Sequence, residues 1–199
     1  MLIINVVREM SNTDSDIQHL TGKILLATPS ISGNYLHKSM IYICAHDNHG
    51  AMGVIINKLI PDVTICRALK KLYVLDQGIK NINIHFGGLR EPDRCFVFHS
   101  DDYMFSDSAI ISNRIALTIN SDILRVITSK EAPKRKMLCC GCCLWESEQL
   151  EEEVAAGYWV PIEADEALIF GNPKVDKWSK ALLKIGSRTN VFSGSSGNA

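Results

Sequence analysis

The chain has 199 residues and a mass of 22.1 kDa, with 46% hydrophobic and 22% charged residues. A compact chain of this size buries about 70% of its unfolded surface, so one domain with its own core is expected and bulk disorder is excluded. With 21 basic against 22 acidic side chains the net charge is −1, which excludes a general electrostatic binder of nucleic acid.

Residues 8–19 are polar and irregular, and residues 1–19 read as an N-terminal arm. The short apolar stretch near the start, Leu2 to Val7, lacks the flanks of a signal peptide. Strands are expected over 23–28, 40–46 and 51–57, which are rich in Ile, Val and Tyr. Asp47-Asn48-His49-Gly50 is strong turn chemistry, so the second and third strands should form an antiparallel hairpin. Ile65, Ala68, Leu69 and Leu72 fall on one helical face. Strands follow at 81–86 and 94–99, with Glu91-Pro92-Asp93 as the turn between them, and a strand pair at 109–112 and 115–119. Ser121 is positioned to cap a helix with Ile123, Val126 and Ile127 inward. A buried strand at 137–143, an acidic helix at 148–156 stopped by Gly157, and a strand at 158–162 come next. Asn172-Pro173 opens a last helix that should end at Gly186.

Strands and helices alternate irregularly, without a βαβ repeat. The fold class is therefore α+β: a single domain on a mixed, mainly antiparallel sheet flanked by helices, spanning 20–186, with a flexible tail at 187–199. The longest apolar run, Met137 to Trp145, is far shorter than the ~20 residues of a membrane helix.

The sequence has seven cysteines, four of them in Cys139-Cys140-Gly141-Cys142-Cys143. An odd count in a chain too large to need disulfides points to a reducing cytosol. On a regular strand Cys139 and Cys143 would share one face and Cys140 and Cys142 the other, so the four thiols could not converge on one ion. They read as core residues, and no metal or cofactor is expected. His46, His49, His85 and His99 lie at strand ends or turns but match no zinc spacing. Gly50 and Gly53 read as tight hairpin packing. Gly87 and Gly88 could offer backbone N–H groups to an anion, helped by Arg90 and Arg94. If these strand ends meet, His46, Asn57, Gly87, Gly88, Arg94 and His99 form one ligand or interaction surface. Lys177, Lys180 and Lys184 form a basic face on the last helix, which reads first as a solvated face and second as a nucleic-acid patch.

Leu20 to Pro29, Ser39 to His46 followed by Gly50 to Asn57, Phe86-Gly87-Gly88-Leu89, Asp93 to His99, and Trp145, Gln149 to Glu153 and Trp159 form a series of blocks in fixed order. Together they resemble the AlgH/YqgE family of bacterial proteins. The resemblance covers about residues 20–186. It implies a mixed sheet forming a partly open barrel flanked by helices. It supplies no catalytic residues, and some family members carry the label of transcriptional regulator. Leu144 and Glu148 stand where the family typically has glycine, and Cys142 and Cys143 replace an aromatic-plus-small pair.

The expected function is a cytoplasmic, non-enzymatic regulatory or interaction module with an unidentified protein or small-molecule partner. The alternatives are a small hydrolase or anion-handling enzyme using the strand-end histidines, and nucleic-acid binding through the last helix.

Overall fold

The computed structural model describes residues 20–60, 82–112, 114–173 and 175–189, with side chains described as far as 185. The expected N-terminal arm, the helix carrying Ile65 to Leu72, Cys66 and the chain beyond 189 lie outside the described residues. The strands are β1 (Lys23–Ala27), β2 (Met40–Asp47), β3 (Gly50–Ile55), β4 (Ile84–Phe86), β5 (Arg90–Ser100), β6 (Ala109–Ser112), β7 (Ile115–Thr118), β8 (Lys136–Glu146) and β9 (Trp159–Glu163). Four helices are described: α1 (Ile123–Val126), α2 (Gln149–Ala155), α3 (Glu166–Phe170) and α4 (Lys177–Thr189).

All nine strands join one sheet in the order β6-β7-β5-β8-β3-β2-β1-β9, with β4 beside β8. Its pairings are antiparallel except β4 with β8. The β2–β3 hairpin forms where its turn chemistry placed it: the Asp47 carboxylate accepts the His49 N–H at 2.7 Å. The sheet curls into a half-barrel. Edge strand β6 comes round to β2, and the Tyr42 hydroxyl meets the Ser112 hydroxyl at 2.8 Å.

Inside the curl lie Ile24, Leu26, Tyr42, Phe96, Phe98, Ile115 and Leu117, with Ile169, Trp178 and Ala181 from α3 and α4 packed on them. Trp178 also donates its indole N–H to the Ala27 carbonyl at 2.8 Å, so α4 is docked by a buried hydrogen bond as well as by area. Burial of each such large side chain contributes about 1.5–3 kcal/mol. On the outer face α2 covers β8 and β9 through Leu150, Trp145 and Trp159. The Glu153 carboxylate accepts both indole N–H groups, at 2.9 Å from Trp145 and 2.7 Å from Trp159. A third cluster packs α1 against Cys95, Val97, Leu138 and Cys140.

The structure corrects several expectations. The 91–93 turn lies inside β5, where the register slides from Arg90 opposite Cys142 to Cys95 opposite Cys140. Pro92 has no N–H to place in a ladder, and Glu91 turns the chain with φ 49°. Ser121 does not cap α1; the Asn120 carboxamide oxygen takes the Asp122 N–H instead, at 2.9 Å. Asn172 does not cap α4. Asp176 does, accepting the Ser179 N–H at 3.0 Å, and those Ser179 contacts hold its carboxyl below the usual carboxylate range. Helix α4 runs through Gly186 to Thr189, because glycine inside a helix costs only about 1 kcal/mol. Helix α3 was not anticipated; Asp165 caps it by accepting the Leu168 N–H at 2.7 Å.

The cysteine run also departs from simple alternation. Cys139 and Cys142 both face the barrel interior, whereas Cys140 and Cys143 lie in the two outer clusters. Gly141, with φ 77°, acts as a bulge that inserts one residue and reverses the sidedness of β8. Cys139 and Cys143 therefore do not share a face.

Candidate functional site

His46 is fully buried on β2. Its Nδ1 accepts the Leu20 backbone N–H at 3.2 Å, so the ring proton sits on Nε2, which donates to the Glu151 carboxylate at 3.0 Å. A general base needs an open basic nitrogen, and here that nitrogen is capped by backbone. The ring ties the chain entering β1, strand β2 and helix α2 together.

His99 is likewise fully buried. Its Nδ1 faces the Ser100 carbonyl at 3.0 Å and must donate, so Nε2 accepts the Thr118 hydroxyl proton at 2.8 Å. Thr118 in turn takes the Ser108 hydroxyl at 2.7 Å, and Ser108 takes the Phe105 N–H at 2.9 Å. With the ring neutral, these contacts fit one tautomer, with the proton on Nδ1. Burial lowers its pKa in agreement, against an opposing hydrogen bond to Ser100 and the Asp102 charge. The Thr118 hydroxyl is fully buried and unreachable by substrate.

These two histidines are not neighbours. His46 pairs with Ala51, and Ala51 with Trp145, at one end of β8; His99 pairs with Lys136 at the other end. The nine positions from Lys136 to Trp145 correspond to about 30 Å of strand. Asn57 sits beyond the far end of the hairpin, where its side chain accepts the Met40 N–H and donates to the Lys38 carbonyl, both at 2.8 Å.

Gly87, Gly88 and Arg94 do come together, around the Gly141 bulge, but not as an anion nest. The Gly87 N–H is spent on the Cys140 carbonyl at 2.7 Å, and the Gly87 carbonyl accepts from Ile55 at 2.9 Å. A Cβ on Gly88 would stand 2.1 Å from the Cys142 carbonyl oxygen, and one on Gly141 would stand 2.2 Å from that of Gly88. Two backbones cross here at a separation that leaves no room for an ion. Arg94 pairs with Glu91 at 3.4 Å. Gly50 and Gly53 are also sites of close packing, the first against the Trp145 carbonyl and the second against Ile41.

The basic face of the last helix loses its first member. Lys177 is buried, and its Nζ donates to the carbonyls of Leu168 and Ile169 at 2.8 and 3.3 Å, closing the C-terminal end of α3. Burial lowers its pKa, partly offset by the nearby Asp165 carboxylate. Lys180 and Lys184 are exposed beside a cleft that also holds Glu163 and Asp165. That mixture of signs does not make a phosphate-binding face.

Of the remaining histidines, His85 is buried on β4, and burial pushes its pKa down to about 4. His49 is exposed at the hairpin tip. It belongs to an open groove of about 490 Å³ between the hairpin and β8, lined by His49, Met52, Arg90, Leu144, Trp145 and Gln149. Leu144 is 44% exposed in a strand whose preceding seven residues are buried. Arg90 supplies a cation and Glu146 an anion to the same groove. Glu148, next to it, enters α2 with φ 66°, a backbone conformation that suits glycine. His49, Arg90, Leu144, Trp145 and Gln149 each stand out in the sequence, but nothing in sequence order brings them together into this groove. Its walls come from the hairpin, β5, β8 and the start of α2, segments spread between His49 and Gln149 in the chain.

Among the described residues, no group of three or more His, Cys, Asp or Glu side chains is placed to hold a metal ion, and no helix is long and apolar enough to cross a membrane.

A family model described as AlgH-like matches residues 24–190. The chain is 37% identical over 169 residues to a UPF0301 protein of Buchnera aphidicola subsp. Baizongia pistaciae, covering 81% of this chain and 88% of that one. It is 34% identical over 196 residues to a UPF0301 protein of Afipia carboxidovorans, with 94% and 93% covered. The solution structure of the AlgH protein from Pseudomonas aeruginosa matches with a TM-score of 0.73 at 25% identity, over 94% of this chain and all of that one. A crystal structure from Corynebacterium diphtheriae, at a TM-score of 0.65 and 17% identity, shares the fold.

Proposed function

We propose, from the premise that the chain belongs to the AlgH-like family, that it is a cytoplasmic, non-enzymatic interaction module whose work is done by binding at the hairpin–β8 groove. The observation that carries this reading is Leu144. A large apolar side chain stands open to solvent beside Trp145, with Arg90 and the His49 ring at its rim. An apolar contact surrounded by a few oriented polar groups is what a binding surface needs. The two histidines best placed in sequence for chemistry are instead consumed by structural hydrogen bonds. A regulatory role in transcription would then run through protein contacts, since the net charge is −1 and Lys177 is unavailable to phosphate.

The test is photocrosslinking in the native cell, with a benzophenone side chain placed at position 144 or, as a control, at exposed Ile110 on β6. A discrete adduct is expected from position 144, lost when Arg90→Glu is added, and none of the same size from position 110. Equal labelling from both positions, or an adduct indifferent to Arg90, contradicts the reading.

A further inference from the structure

Cys95 on β5 lies directly opposite Cys140 on β8. The register shows which kind of pair this is. Ser100 donates its N–H to the Arg135 carbonyl at 3.0 Å, so Ser100 and Arg135 are a hydrogen-bonded pair of the same ladder. Hydrogen-bonded and non-hydrogen-bonded pairs alternate along an antiparallel ladder. Five positions on, Cys95 and Cys140 are therefore a non-hydrogen-bonded pair. A second contact agrees: the Cys140 carbonyl turns away from β5 and accepts the Gly87 N–H at 2.7 Å. Opposed residues of this kind have Cα atoms about 4.5 Å apart with side chains on one face, inside the span that a disulfide bridges.

Both side chains lie in the same outer cluster under α1. Cys95 retains 7% exposure, Cys143 6% and Cys140 3%, whereas Cys139 and Cys142 retain none. The neighbouring thiols are poorly suited to react. Burial pushes Cys142 and Cys143 up to about 12, and raises Cys139 and Cys44 as well. The bulge at Gly141 places Cys142 on the opposite side of the sheet from Cys140.

We propose that Cys95 and Cys140 are an oxidation site, at which a small peroxide converts the two thiols into a cross-strand disulfide. The more exposed Cys95 sulfur attacks the peroxide, its O–O bond breaks, and a sulfenic acid and one water result. The Cys140 sulfur then attacks the sulfenic sulfur, an S–S bond forms, and a second water leaves. Two thiols lose two electrons and two protons, and one hydrogen peroxide is reduced to two waters. The bond staples β5 to β8 at the point where β5 slides out of register, beside the groove residue Arg90. Thiol–disulfide exchange with an external thiol breaks the bridge again, which makes the site reversible.

The experiment uses the full reduced chain, treated with graded hydrogen peroxide, alkylated, and mapped as peptides without reduction. The expected result is loss of two of the seven thiols, a mass lower by two hydrogens, and one linked pair of peptides carrying Cys95 and Cys140. Dithiothreitol should restore all seven thiols. Cys95→Ser and Cys140→Ser should each abolish the link, and Cys142→Ser should leave it. The wild-type map decides the matter even if a variant fails to fold. Oxygen addition without a linked peptide, a link between any other pair, or no change in thiol count overturns the proposal.

Discussion

Gly141→Ala is expected to destabilise the domain by about 2–5 kcal/mol, whereas Gly157→Ala should cost only about 1–2 kcal/mol. Both glycines have left-handed backbones, with φ 77° and 75°, so both substitutions meet the same conformational penalty. They differ in surroundings. A Cβ at Gly157 meets nothing within 4 Å, and one at Gly141 meets the Gly88 carbonyl oxygen at 2.2 Å. A backbone carbonyl in a paired strand cannot swing aside as a side chain can. The β4–β5 connection would have to lift off β8, taking with it the Gly87 N–H bond to Cys140. For a domain of this size the larger loss lowers Tm by about 10 °C. Urea denaturation of the two variants measures the difference, and equal costs would show that the crossing at Gly141 is not tight.

The second large effect is on acid stability and centres on His85. Burial is the main cause of its low pKa, helped by the nearby Lys177 charge and opposed by a hydrogen bond to the Leu138 carbonyl. Its Nδ1 has no hydrogen-bond partner, so a second ring proton would be buried without an acceptor. In the unfolded chain His85 takes up its proton near pH 6.5, and in the folded chain only near pH 4. Between those values the unfolded state binds more protons, so stability is full above about pH 6.5 and falls as the pH drops toward 4. The shift corresponds to a loss of about 3 kcal/mol, and His99, shifted in the same direction, adds to it. Urea titrations at pH 7 and pH 4.5 should show the fall in the wild type and a shallower one in His85→Leu. Identical slopes would remove His85 from the explanation.

Much of the sheet was legible because its strands carry β-branched and aromatic residues between turns with strong local chemistry. Asp47 to Gly50 is the clearest case, since its hydrogen bond closes within two residues. Features that depend on distant chain were not legible. The run Cys139 to Cys143 contains no polar residue to mark a face, so its one signal for the bulge was Gly141 inside an otherwise apolar strand. Lys177 looked like a surface residue because its acceptors, at the C-terminal end of α3, belong to a helix that the hydropathy pattern did not show. His46 looked like a strand-end histidine; its carboxylate partner Glu151 is 105 residues away. The groove was hidden for the same reason, although Leu144 carried one signal, since the resemblance to the AlgH/YqgE family implies glycine at that position.

The conspicuous histidines hold the fold together, which under the proposed function leaves binding to the groove. Long-range proton–nitrogen correlation of the imidazole rings at pH 7.5 tests this most directly. His46 should appear with its proton on Nε2 and His99 with its proton on Nδ1, each as a single tautomer. Either ring found in the opposite tautomer, or exchanging between the two as a solvent-exposed imidazole does, would contradict the claim and return that histidine to candidacy as an acid or base.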